Sequence, residues 1–321
     1  MSNELEKTIG IIANRNTSKE DIEILLKGAR ENGIELDSEI LYKNLDIVEK
    51  ERFSYFFNNL RKEYDLPDLN FEIGHFRTID AYWEIFNNDY YIVLDDTIYG
   101  LLLEFSFVLT FYNDLRRKGN IDNEYERRIL NHIISTIHVS KILRNIMTEN
   151  DINERALYNK DSVQEAADIF NAFLCFVCCH EIAHIYLQHN GNQKTFEQEF
   201  AADKLGFVFF KYLLSLQNDV AFKLNPNMLY APLVFFDILG LYDIMRNDLA
   251  QSPLNKDEEH PPARERRRKI LEKISFAEKK LFYKEYFYYL SAINHAQNHY
   301  ELFRANIVVN LKKIDKEFHS N

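Results

Sequence analysis

The chain is short of the residues that interrupt regular backbone. It has 9 glycines and 6 prolines in 321 residues. An architecture of many short strands needs the tight turns those residues supply, so a sandwich or barrel is disfavoured and a mainly helical protein expected. Cysteine is scarcer still, with 3 residues, at 175, 178 and 179. An odd, clustered set builds no disulfide framework, which suits a reducing compartment, and a cytoplasmic location is expected. Positive charge is in deficit, with 39 Lys and Arg against 50 Asp and Glu and a net charge of −11. A protein that grips phosphate backbones is usually basic, so nucleic acid is not expected as a partner. The opening MSNELEKTIG has no basic stretch leading into an apolar one, and no signal peptide is read there. The two most apolar runs, 99–112 and 169–187, are interrupted by Glu104 and by Asn171, His180, Glu181 and His184. Neither is expected to span a membrane. What the chain does have is apolar content: 46% hydrophobic and 14% aromatic residues, too much for a disordered chain.

Charged helical spacing runs through 19–31, 38–64 and 78–87, with Pro67 marking a break. Residues 90–94 (YYIVL) are β-branched and aromatic and read as a short strand, a cleft edge that could pair with an extended substrate. An apolar helix is expected from Thr97 to about Arg117, then a turn over 118–122 and helical spacing over 124–148. Ser162-x-x-Glu165 has the form of a capping box. It predicts a helix from about Val163 to Gln188 that stops near Gly191. That helix has almost no polar face and should be buried on most sides. Thr195-x-x-Gln198 is a second capping box, opening a helix to about Leu216. Further helices are expected near 227–246, after His260-Pro261-Pro262, and over 279–311. The expected fold is mainly α (α+β), a helical core with a small edge β-sheet. Two parts are expected: residues 1–88, a helical lobe of unassigned role, and residues 89–321.

The chemistry is concentrated in His180-Glu181-Ile-Ala-His184, an H-E-x-x-H motif inside a predicted helix. At about 100° per residue the two histidines sit about 40° apart and one turn along, so both rings can reach one metal ion. Glu181 lies to one side of the pair, placed as a base beside a metal-bound water. Two histidines and a glutamate on so apolar a helix need polar partners or a metal; the bland reading is a pair of core histidines. Zinc with an open position needs a third protein ligand. Glu199 and Asp203 are i and i+4 on one face of the next helix, and the short intervening loop should pack the two helices together. Glu199 would point at the ion, and Asp203, one turn on, could hold a ligand histidine by its other nitrogen. Taken alone, the pair would read as surface carboxylates.

These residues resemble the gluzincin class of zinc metallopeptidases. The fuller run Glu199-x-x-Ala202-Asp203-x-x-Gly206 is similar to the CAAX-prenyl-protease-like family, as is His260-Pro261 followed by Arg266. The resemblance covers about 162–270. It implies a zincin-like core over the 89–321 part, peptide-bond hydrolysis, one Zn2+ per chain held by His180, His184 and Glu199, and Glu181 as general base. Parts of that family treat Asp203 as a second catalytic acid, although its place on the helix argues for holding a histidine. The membrane members of that family carry several transmembrane helices, which are not read here, so prenylated substrates do not carry over.

His260 has two readings: a donor aimed at the oxyanion, or one that orients such a donor, and a capping histidine held by Arg266 or a carbonyl. His189 lies nine residues after His180, about 180° round the helix, and cannot join the same ion without a break. The cysteines read as small buried thiols. The run 264–269 (RERRRK) reads as a solvated helix face with local ion pairs, and the tyrosines of 282–289 as core and interface packing. The expected function is a zinc peptidase acting on a peptide or protein, its oligomeric state open. One alternative is a non-catalytic zinc-binding regulator or sensor, marked by a fourth protein ligand. Others are a helical regulatory protein without metal, and an intracellular protease with one dedicated target, similar in kind to bacterial phage-exclusion zinc proteases.

Overall fold

The computed structural model describes residues 38–74, 81–119, six positions between 126 and 134, and residues 160–189, 195–216, 224–249 and 260–319. The helix expected over 19–31 lies outside them, as does most of 124–148. Helix α1 (Ser38–Tyr64) leads into strands β1 (Leu69–Gly74), β2 (Ala81–Phe86) and β3 (Asp89–Asp95). Helices α2 (Asp96–Lys118), α3 (Lys160–Tyr186) and α4 (Phe196–Ser215) follow. A 3-10 turn (Pro226–Tyr230) then opens onto α5 (Ala231–Leu249), α6 (Ala263–Lys273) and α7 (Phe276–His319). The described residues are mainly helical with one small three-stranded sheet, as the composition implies.

The sheet departs from expectation in three ways. Residues 78–87 were expected to be helical, yet Ala81–Phe86 is β2. Its AYWEIF sequence is aromatic and β-branched. Asn87 and Asn88 both take positive φ, 51° and 71°, which is the two-residue turn that closes a hairpin onto β3. β1 had no sequence expectation at all. Finally, β3 is no cleft edge: the strand order is β1-β3-β2, with β1 parallel and β2 antiparallel to it. Ile92, Val93 and Leu94 are accordingly all buried, the continuous apolar run of a strand covered on both faces. The sheet straddles residue 88, joining β1 and β2 to β3, and Phe53 of α1 stacks on Phe71 of β1 at 4.0 Å between ring centroids.

Helix α3 is the spine. It packs on α2, α4, α5 and the sheet, as a helix that is apolar all round must. Windows within 164–186 and 226–245 are long and apolar enough to cross a membrane, but 83% and 61% of those windows lie buried inside the protein. Core packing is therefore what they do here. The helix begins at Lys160, so Ser162 lies within it and not at its N-cap position. Glu165 instead binds Arg117 of α2 and accepts the Tyr289 hydroxyl of α7 at 2.8 Å. The second capping box is present: Gln198 N donates to Thr195 Oγ1 at 3.3 Å, and Thr195 N donates to Gln198 Oε1 at 3.0 Å. Cys175, Cys178 and Cys179 are buried free thiols. Phe282, Tyr286 and Tyr289 enter the core while Tyr283 and Phe287 stay exposed.

Candidate active site

Three stretches, two on consecutive helices and one some sixty residues further on, converge where α3, α4 and the start of α6 meet. His180 and His184, one turn apart on α3, turn their Nε2 atoms toward each other at 3.1 Å. Glu199, in the first turn of α4, spans both: Oε2 lies 3.4 Å from His180 Nε2 and Oε1 lies 3.2 Å from His184 Nε2. Among the described residues these three are the group whose donor atoms lie close enough together to hold one metal ion, all within 4.8 Å of one another. Glu181 flanks them, its Oε1 3.8 Å from His180 Nε2. All four side chains are buried.

The close approach of α3 and α4 depends on Gly206. A Cβ there would lie 2.9 Å from His180 Cα, 3.0 Å from His180 N and 3.1 Å from the Cys179 carbonyl carbon. Those are backbone atoms, which cannot swing aside. The position thus sets the helix spacing at the level of the histidines, and with it the reach of Glu199.

Asp203, one turn beyond Glu199, faces the rear of the site. Its Oδ1 lies 3.0 Å from His180 Nδ1. Arg266 donates to it through a fork, Nε to Oδ2 at 2.8 Å and Nη2 to Oδ1 at 2.6 Å. Both carboxylate oxygens are thus engaged away from the converging donors. Arg266 also lies 3.5 Å from Glu199 Oε2 and 4.8 Å from the Phe236 ring centroid. The basic run is therefore not simply a solvated face. Arg266 is buried, Arg267 reaches Asp237 at 2.7 Å, and Arg268–Glu272 is an exposed pair along the helix. His260 has a side chain 40% exposed, and its partner among the described residues is Glu199, with His260 Nδ1 3.1 Å from Glu199 Oε2.

His189 is the residue that helical projection misplaced. The chain breaks at Gln188, whose φ is 55°. His189 N then donates to His184 O at 3.0 Å and Gln188 N to Ile185 O at 3.0 Å. Those two bonds are the signature of a Schellman cap, which folds the chain back over the last turn. The His189 ring comes to rest on His184, Nδ1 to Nδ1 at 2.8 Å.

The electrostatics all favour a cation. Burial lowers the pKa of the His180 ring, but the Asp203 and Glu199 carboxylates outweigh it and raise the pKa to about 9. Burial raises the Glu199 carboxyl, yet His180, His184 and His260 hold it far below the ordinary range. Burial likewise opposes ionisation of Asp203, and Arg266 overcomes it. Glu181, Glu199 and Asp203 are three buried carboxylates facing one buried guanidinium. A proton on His180 would offset part of the imbalance; with both imidazoles neutral, as metal ligation requires, two negative charges remain, and burial penalises them heavily. A divalent cation between the converging donors would neutralise them, and the donor set of two imidazoles and a carboxylate suits zinc.

A protein-family model described as Peptidase U49 matches residues 115–286, more than half of the chain and a span that holds every residue of this site. Neither the curated proteins nor the solved structures yield a match. The chain belongs to the Peptidase U49 family and is a peptidase.

Proposed function

We propose that the peptidase is zinc-dependent, with His180, His184 and Glu199 as ligands and Glu181 as general base. The observation that carries this reading is the convergence of two imidazoles and a carboxylate in one buried cluster, with a further buried carboxylate, Glu181, beside them. Among the described residues the group holds three protein donors, and three suit a catalytic ion better than a closed structural one. Zinc held there would supply a Lewis acid that acidifies water and polarises a carbonyl. Glu181 stands beside that position, where its carboxylate can accept the proton of the attacking water and pass it to the leaving amine. Asp203 and Arg266 fix the His180 ring from behind, so Asp203 is an orienting group and not a second acid. His260 braces Glu199 through Nδ1, and its partial exposure puts the ring at the rim, where it can meet a substrate. The substrate is a peptide or protein, and these contacts do not require a membrane or nucleic acid.

Glu181→Gln tests the assignment. It should lower cleavage of a fluorogenic peptide library by about 10²-fold or more, while the protein keeps one zinc per chain. Undiminished cleavage with zinc bound would show that Glu181 is not the base.

A further inference from the structure

We infer that His189 is a positioning residue: it accepts a hydrogen bond from His184 Nδ1 and so fixes the ring of a metal ligand. The inference rests on the zinc reading proposed above and concerns a residue outside the H-E-x-x-H motif. Three observations on one short segment carry it. The Schellman cap at Gln188 gives His189 a fixed backbone, pinned by its own N–H to the carbonyl of the residue it serves. Its Nδ1 stands 2.8 Å from His184 Nδ1. The two rings meet at 67° with centroids 5.0 Å apart, an edge-on approach that lets one nitrogen aim at the other.

The chemistry follows from which nitrogen is already committed. His184 Nε2 faces His180 and Glu199, where the cation would sit. Its Nδ1 must then carry the ring proton. That proton needs an acceptor, because His184 is buried, and the lone pair on His189 Nδ1 is aimed at it. The pair mirrors the arrangement at His180, whose Nδ1 faces the Asp203 carboxylate at 3.0 Å. One ligand is thus backed by a charged acceptor and the other by a neutral one. A capping residue in this place ordinarily offers only an apolar contact to the residue three positions from the helix end. Here the same geometry delivers a ring nitrogen.

Two substitutions separate acceptor from filler. His189→Leu keeps bulk and the apolar contact of the cap but removes the acceptor. His189→Asn places a carbonyl oxygen near the position of Nδ1. Zinc affinity is measured on the full chain by chelator competition, and the visible spectrum is recorded with Co2+ in place of zinc. His189→Leu should bind zinc about 10- to 100-fold more weakly and shift the Co2+ bands. His189→Asn should restore both to near the unaltered protein. Equal zinc affinity in His189→Leu and the unaltered protein would overturn the inference while leaving the zinc site standing. Equal losses in both variants would also overturn it, reducing His189 to a structural cap. An unaltered protein that takes up neither metal would overturn the zinc reading itself, and this inference with it.

Discussion

Arg266 shows how one side chain can hold a site together. It is buried, forked onto Asp203, and within 3.5 Å of both Glu199 and His180 Nε2. Removing it leaves Asp203 as a buried carboxylate with no guanidinium. Arg266→Met in the chelator-treated protein should therefore lower stability by about 3–5 kcal/mol, and adding Asp203→Asn should return part of the loss. Urea denaturation measures both, and a loss under about 1 kcal/mol for the single change would contradict this account of the pair. Lysine would be a poor substitute, since it lacks the planar fork. The sequence carried this role faintly. Arg266 sits in a run of basic residues, but Ala263, Arg266 and Ile270 are the three buried positions of α6. The arginine thus occupies the phase of an apolar stripe. His189 was harder to read, because the residue that turns the chain is Gln188, not the glycine or asparagine that usually marks such a cap.

Helix α4 comes close to the backbone of helix α3 at Gly206. Gly206→Ala should force the helices apart, cost about 1–3 kcal/mol, and weaken zinc binding, because Glu199 and Asp203 ride on α4. Gly240→Ala is the control: its added Cβ meets nothing within 4 Å in α5, so it should be neutral or stabilise by about 0.5–1 kcal/mol. Equal urea midpoints for the Gly206 and Gly240 variants would contradict the packing argument. Both helices were legible because their signals are local: a long, mostly apolar run for α3, a capping box for α4. The sheet was not, because β1 and β2 are six residues each. Their charged and aromatic residues also fit helical spacing, and only the Asn87-Asn88 turn favours a hairpin.

The molecule as a whole places a polar cluster where three segments, 180–189, 199–206 and 260–266, close on one another beside an apolar core. The His180–His184 pair was readable from spacing within one helix. The convergence of Glu199 from a second helix was readable only as an expectation, since no sequence pattern fixes how two helices pack. The contributions of His260 and Arg266 depend on a contact sixty or more residues away from α4. The zinc reading proposed above requires a divalent ion between the two imidazoles and the Glu199 carboxylate of this buried cluster. An anomalous-difference map recorded at the zinc edge on crystals of the full chain tests that most directly. It should show one peak about 2.0–2.2 Å from His180 Nε2, His184 Nε2 and a Glu199 carboxylate oxygen, with no fourth side chain on the ion. A zinc-loaded crystal with no peak between those three side chains, or with Glu199 turned away from the ion, would contradict it.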